Sequence, residues 1–389
     1  MKENILNGKY KKFKYIPLII IALLINKFFK KKKKIILVGG HCGEKYSDNS
    51  AVIHKYLLEK YPGVSVYWVA SNTFKSNLSI IGGEVVQLGS LKNYLLYLNC
   101  DVCYFSHSLS TDIAPVIDRF LFQKSKPIRV HLSHGIEGLK KNIYFDGIED
   151  VDFYVCSSNN EKRIKHKEWG LDPDKLIITG VPRYDRLFHE KNTIPQKTIL
   201  YLPTWREWLY EMEEEEFMKS DFVSNLQEVI TNNHLNKVLE QTGFKLEILL
   251  HPFMQKKIPF LQEFKCSSNV TILKEDEDIA NKIITSSLLI TDYSSVSWDF
   301  FYMRKNIIFY QFDQEKYLTE RGAYIDFKKE LFGEVVFSIN ELVSCIDKQL
   351  VNYGLGHKKD IYSYQRKKYF AFFDDKNCER IIQHTLKGD

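Results

Sequence analysis

A chain of 389 residues with 44% hydrophobic and 14% aromatic side chains can bury the cores of two ordinary domains, which excludes an intrinsically disordered protein. The net charge of +6 is not a nucleic-acid signature, because residues 1–34 hold eleven lysines against one glutamate and the remaining chain carries −4. No stretch reads as an RNA- or DNA-binding module, so no nucleic-acid partner is expected.

The N-terminal segment, residues 1–34, is basic and apolar. Tyr15–Ile25 is a run of eleven uncharged, mostly apolar residues, with five lysines before it and six after it. Crossing a bilayer as a helix takes about 20 apolar residues. Three readings compete: a cleaved signal peptide, a signal anchor extended by Phe28 and Phe29, and an interfacial helix. Lysines follow the run instead of a small-residue cleavage site, and Lys27 interrupts any extension. A helix lying flat on anionic headgroups fits best, with Pro17 in its first turn, and the lack of charge asymmetry agrees with it. The expected location is the cytoplasmic face of the cell membrane. Seven scattered cysteines, with Cys100 and Cys103 as the one close pair, read as buried thiols in a reducing compartment.

Strand and helix signals then alternate. Ile35–Val38 reads as a strand that runs into Gly39-Gly40-His41-Cys42-Gly43, a glycine-rich turn that does not match a dinucleotide fingerprint. Ser50–Lys60 follows as a helix, then strands at Val64–Ala70, Glu84–Leu88, Asp101–Ser106, His131–Ser133, Phe153–Cys156 and Leu176–Thr179, with a helix at Asn160–Trp169. Glu190–Lys197 is polar and contains Pro195, so a domain boundary is placed between 190 and 191. Beyond it come strands at Thr198–Leu202, Leu246–Leu250, Val270–Leu273, Leu288–Thr291 and Ile307–Tyr310. Helices are expected at Asn225–Thr242, near Val296, at Ile339–Gln349 and at Tyr362–Thr385. This alternation predicts an α/β protein with two doubly wound, mostly parallel sheets, one in 35–190 and one in 191–389.

Five of the strands stop at polar residues. Val130–Ser133 leads into His134-Gly135, Ile177–Thr179 into Gly180-Val181-Pro182-Arg183-Tyr184-Asp185, and Ile199–Leu202 into Pro203-Thr204-Trp205-Arg206. Ile248–Leu250 leads into His251-Pro252, and Leu288–Thr291 into Asp292-Tyr293-Ser294-Ser295. Open α/β sheets bind ligands outside the carboxyl ends of their strands. Two imidazoles, two guanidiniums and several hydroxyls there suit a diphosphate or phosphodiester. Ser294 and Ser295 sit at a helix start, where free N–H groups favour phosphate, and Asp299 lies about one helical turn on.

These motifs, in this order, resemble the CDP-glycerol glycerophosphotransferases, which prime and polymerise teichoic acids. The resemblance runs from about Ile35 to about Phe327. It takes in Gly43-x-x-Tyr46-x-Asp48-Asn49, Ile307–Tyr310 with Asp313 and Tyr317, and Arg321–Phe327. In the family a Thr-Pro-Leu-Lys-like run usually follows the His-Gly; here Ile136-Glu137-Gly138-Leu139-Lys140 stands instead.

The resemblance implies a GT-B-like fold, with the N-terminal domain on the acceptor side and the C-terminal domain on the CDP-polyol side. It implies transfer of glycerol phosphate or ribitol phosphate from CDP-glycerol or CDP-ribitol to a hydroxyl of a lipid-linked glycan or polyol-phosphate acceptor. CMP is released, and a teichoic-acid-like or capsular polymer grows. In that chemistry His134 is the candidate general base, with Gly135 letting substrate approach the backbone. His251 is the candidate diphosphate donor or leaving-group acid. Arg183 and Arg206 would hold phosphate oxygens, Ser294 and Ser295 would complete the anion site, and Pro203, Thr204 and Asp299 would hold nucleotide or polyol. His41 and His107 end strands and stand in reserve, while His131 is left out.

No cofactor is expected. No metal is expected either: Asp172-Pro173-Asp174 and Asp276-Glu277-Asp278 look like Asp-x-Asp motifs, but helix capping accounts for them. A GT-B glycosyltransferase using a nucleotide sugar and a non-catalytic membrane-tethered module are the rival readings.

Overall fold

The computed structural model describes residues 14–74, 78–117, 127–142, 151–251, 254–255, 267–274, 277–351, 353 and 361–386. The chain forms two units. The first gathers Met1–Ile136, Phe145–His189 and Tyr369–Asp389; the second gathers Glu137–Tyr144 and Glu190–Lys368.

The first unit is built on seven parallel strands: β1 (Ile35–Val38), β2 (Ser65–Ala70), β3 (Glu84–Gln87), β4 (Val102–Phe105), β5 (Ile128–His131), β6 (Phe153–Cys156) and β7 (Leu176–Ile178). Their order is β3-β2-β1-β4-β5-β6-β7. β1 and β4 are buried at every position, as strands covered on both faces must be, and so they are continuous apolar runs in sequence. β5 differs from the expected His131–Ser133: pairing with β4 begins at Ile128 and ends at His131 opposite Phe105.

Helix α1 (Ile16–Ile25) carries Pro17 in its first turn. It lays Ile19 and Ala22 against α3 (Leu91–Leu98), and Lys31 pairs with Asp101 at 2.6 Å just beyond it. Between α1 and α3 in chain order comes α2 (Asp48–Lys60). α4 (Asn159–Trp169) starts at Ser158, whose hydroxyl accepts from Glu161 N, and ends at left-handed Gly170. α5 (Arg183–His189) completes this stretch.

The second sheet comprises β8 (Gln196–Leu202), β9 (Lys245–Ile248), β10 (Val270–Ile272), β11 (Ser286–Thr291), β12 (Asn306–Tyr310) and β13 (Glu334–Val336). These are also all parallel, in the order β10-β9-β8-β11-β12-β13. Ile199, Leu246, Ile248, Ile290 and Ile308 from its strands share a core with helices α6 (Asp221–Thr231), α7 (Asn233–Thr242) and, beyond α8 (Val296–Tyr302), α9 (Ile339–Val351).

Two expected helices are split. Asn225–Thr242 becomes α6 and α7, because Asn232 turns extended and its side chain accepts from Leu235 N at 2.9 Å. Tyr362–Thr385 becomes a helix at Ser363–Tyr369 and α10 (Asn377–Thr385). α10 belongs to the first unit rather than the second. Its start is capped by Asp185, which accepts from Asn377 N at 2.8 Å, Asn377 Nδ2 at 2.7 Å and Cys378 N at 2.8 Å. Asp185 is thus a buried helix cap. Gly180 is required beside it, since a Cβ there would lie 1.9 Å from Asn377 Oδ1.

Candidate active site

In doubly wound sheets the ligand crevice opens where the strand order reverses. In the first unit that point lies between β1 and β4, and histidines cluster at the ends of β1, β4 and β5. The rings of His107 and His134 stack at 5.0 Å with an interplanar angle of 4°, and His41 lies 5.2 Å from His107. Asp112, fully buried, binds the loops together by accepting from Cys42 N at 3.0 Å, Ser106 N at 3.1 Å and His107 N at 2.9 Å. Its Oδ2 is 3.4 Å from His107 Nδ1.

Burial draws the His107 pKa down, but the hydrogen bond and charge of Asp112 outweigh it and raise the pKa above the ordinary imidazole value. His41 goes the other way, lowered chiefly by burial. Its Nε2 is buried with no hydrogen-bond partner among the described residues.

His131 is structural. Burial pushes its pKa down to about 3, so it is neutral. Its Nδ1 accepts from Ser133 N at 3.2 Å, which leaves the proton on Nε2 to donate to His107 O at 3.1 Å.

Ser133 adopts a left-handed φ of 60°, a conformation that costs a non-glycine residue on the order of 1–3 kcal/mol. Several bonds hold it there. Asn49 Nδ2 donates to its carbonyl at 2.7 Å, and Lys165 Nζ donates to its hydroxyl at 2.8 Å. Lys165 is itself fully buried, paired with Glu161 at 3.1 Å and donating to Val155 O at 2.8 Å. His134 comes next and is exposed, followed by buried Gly135.

Arg183 pairs with Asp48 at 3.0 Å and donates to His134 O at 3.1 Å, while Asn49 Oδ1 accepts from its backbone N–H at 3.0 Å. The early Asp48-Asn49 motif therefore serves the His134 loop.

In the second unit the order reverses between β8 and β11. The Asp292 carboxylate joins the two strand ends, accepting from Thr204 N at 2.9 Å and Tyr293 N at 2.6 Å. Arg206 departs from the phosphate role expected of it. It is 1% exposed, and its Nε and Nη2 grip Asp313 at 2.7 and 3.0 Å. Its Nη1 meets Asp292 at 2.9 Å and donates to Thr204 O. Aromatic rings surround it, with Tyr293 5.0 Å from the guanidinium. It is a buried clamp between two carboxylates, and these raise its pKa against the effect of burial.

Pro203 is buried and Thr204 half-buried; Thr204 Oγ1 is buried without a hydrogen-bond partner among the described residues. Ser294 and Ser295 are half-buried before α8, with Ser294 Oγ accepting from Val296 N at 3.3 Å. Asp299, within α8, is 3% exposed. His251 is exposed, and its ring stacks on Trp205 at 5.5 Å; Pro252 lies outside the described residues. Of the acidic motifs, Asp172 caps the turn Pro173–Lys175 and Asp278 caps the helix Ile279–Thr285, as expected; Asp276 lies outside the described residues.

The run from Glu137 onward belongs to the second unit. Tyr324 N donates to Gly138 O at 2.9 Å, and Lys141 N donates to Gly322 O at 3.0 Å. A Cβ on Gly138 would come within 2.8 Å of Trp298 on α8. Lys140 lies in this run, its pKa lowered by burial although Glu137, Glu207 and Asp292 oppose the shift. Asp112 and Lys165 received no role from sequence, because nothing near them in the chain marks them; Asn49 was marked by its motif but given no role. Lys140 had only its place after the His-Gly.

Two parallel sheets, each wound in the same order, define a GT-B-like protein. The solved wall teichoic acid polymerase TagF matches with a TM-score of 0.68 at 18% identity, covering 98% of this chain and 99% of that one. A UDP-GlcNAc 2-epimerase from Methanocaldococcus jannaschii matches at 0.52 and 14% identity, covering 91% and 99%.

Residues 21–387 match the family described as CDP-Glycerol:Poly(glycerophosphate) glycerophosphotransferase, and the chain belongs to it. Among its relatives, the minor teichoic acid biosynthesis protein GgaB of Bacillus subtilis is 25% identical over 365 residues, 89% of this chain and 39% of that protein. The teichoic acid glycerol-phosphate transferase of Staphylococcus aureus is 25% identical over 373 residues, 89% of this chain and 91% of that protein. The chain thus spans well under half of the first and most of the second.

Proposed function

We propose that the chain transfers glycerol phosphate or ribitol phosphate from a CDP-polyol to a hydroxyl of a lipid-linked acceptor. His134 takes the acceptor proton as the new O–P bond forms; the P–O bond to CMP breaks, and CMP leaves. His251 faces the leaving phosphate as donor. The second unit holds the CDP-polyol through Ser294, Ser295, Thr204 and Asp299, and Lys140 adds positive charge beside Asp292. Arg183 and Gly135 shape the His134 loop.

One observation carries this reading: an exposed imidazole beside a clamped, left-handed turn at the end of β5, one strand from the reversal point of the sheet, in a chain of this family. A base must be both reachable and fixed. TagF, which shares the fold, has been solved as a histidine-to-asparagine variant soaked with CDPG, and relatives include glycerol-phosphate and ribitol-phosphate enzymes. The test is to incubate the purified chain with CDP-glycerol, CDP-ribitol and a UDP-sugar in the presence of lipid extract. CMP release with product mass rising by one polyol phosphate supports the reading. UDP release from the sugar nucleotide, with no CMP, refutes it.

The membrane contact belongs to α1. Its outer face exposes Ile20, Ile21, Leu23 and Leu24, Phe28 follows at 73% exposure, and exposed Lys30–Lys33 lie beyond. Among the described residues no helix is long and apolar enough to cross a membrane; in the proposed reading this exposed apolar face lies along the interface with the lysines on anionic headgroups. Co-sedimentation with anionic but not neutral vesicles is the expected outcome.

A further inference from the structure

We propose that His107 is a positioning residue for the reaction: anchored by Asp112, its ring lies flat against His134 and its positive charge keeps His134 in the neutral, proton-accepting form. This rests on the reading of His134 as base. His107 ends β4, a strand removed from the motif that carries His134, and no role above uses it.

The geometry is specific. The rings are 5.0 Å apart and parallel within 4°. His107 Nδ1 meets the Asp112 carboxylate at 3.4 Å, and the backbone N–H of His41 also points at this nitrogen, at 3.3 Å. The ring thus has a partner in either charge state: His41 N–H when neutral, Asp112 when protonated. Asp112 is fully buried, and a buried carboxylate favours the cation beside it. The raised pKa of His107 agrees.

The surrounding charges do not cancel the effect. Asp48 also favours the His107 cation but is matched by Arg183. Lys165 is matched by Glu161. His41 and His131 are lowered by burial.

A cation about 5 Å from His134 opposes protonation there, lowering the base's titration by about one pH unit at intermediate effective dielectric. The enzyme then keeps a competent base through neutral pH, and the plane of the His134 ring is set by the ring beneath it.

His107→Phe keeps the flat ring and removes the charge. In this variant the acidic limb of the kcat/KM profile for CDP-glycerol is expected to move up by about one pH unit, with KM within about twofold. His107→Ala removes the ring as well, so kcat stays low even above pH 8. Histidine NMR titration of the wild-type protein, with His134 assigned from the His134→Ala spectrum, gives a reading that needs no His107 variant. His107 should titrate above, and His134 below, the ordinary value of about 6.5. An unmoved limb in folded His107→Phe, or both rings titrating together near 6.5 in the wild type, overturns the proposal. If His134→Ala keeps full turnover, the reading of His134 as base falls, and this inference with it. If His134→Ala is inactive but the limb stays put in His107→Phe, only the role of His107 is lost.

Discussion

Ser133 shows how much structure one exposed imidazole requires. Its left-handed backbone is unfavourable, and the Asn49 and Lys165 bonds offset it at roughly 0.5–3 kcal/mol each. Lys165 is the sensitive member, because its removal leaves Glu161 buried without a cation. Lys165→Met is expected to destabilise the protein by about 3–5 kcal/mol, read by denaturant unfolding. The double change with Glu161→Gln should recover a good part of that while turnover stays impaired. Arg206 is the counterpart in the second unit. Arg206→Lys cannot span Asp313 in the two-point manner and should lower unfolding stability by several kcal/mol rather than act first on KM.

Buried histidines set the acid response. His131 and His54 have folded pKa values of about 3 and about 4 through burial, below the unfolded value of about 6.5. Below pH 6.5 the unfolded chain takes up protons that the folded chain refuses, so their contribution is intact above 6.5 and is lost as pH falls towards 4. Each adds up to about 1.4 kcal/mol of loss per pH unit. Unfolding measured from pH 7 to 4.5 should show this slope, and His131→Gln should make it shallower.

Elements were legible where one physical cause dominates. Parallel strands such as β1 and β4 are covered on both faces, so unbroken apolar runs disclose them. Helix continuity was less legible: apolar periodicity runs through Asn232, yet its side chain caps α7 and wins locally. β13 went unassigned, a three-residue strand without an apolar run.

Among the candidate site residues, those named for strand ends do lie just past β5, β7, β8, β9 and β11, because apolar runs that stop at polar residues disclose where strands end. Their supports were not legible: Asn49 reaches Ser133 across 84 positions, and Lys165 and Asp112 belong to other helical segments. Arg206 misled because an arginine at a strand end looks the same whether it faces a phosphate or two buried carboxylates. At this scale α1 yields a prediction of its own. Leu24→Asp, on its exposed face, should reduce anionic-vesicle binding at least tenfold and leave CMP release from a soluble acceptor unchanged.

For the whole molecule, each unit brings its own strand-order reversal, and the proposed function assigns acceptor activation to groups of the first and donor binding to groups of the second. This division makes the two functions separable by mutation. The most direct measurement is a pair of assays on purified His134→Ala, with CDP-glycerol binding by calorimetry and CMP release in the presence of acceptor. Binding within about threefold of wild type and CMP release down by about 10²–10⁴ is the predicted result. CMP release within a few fold of wild type would contradict it.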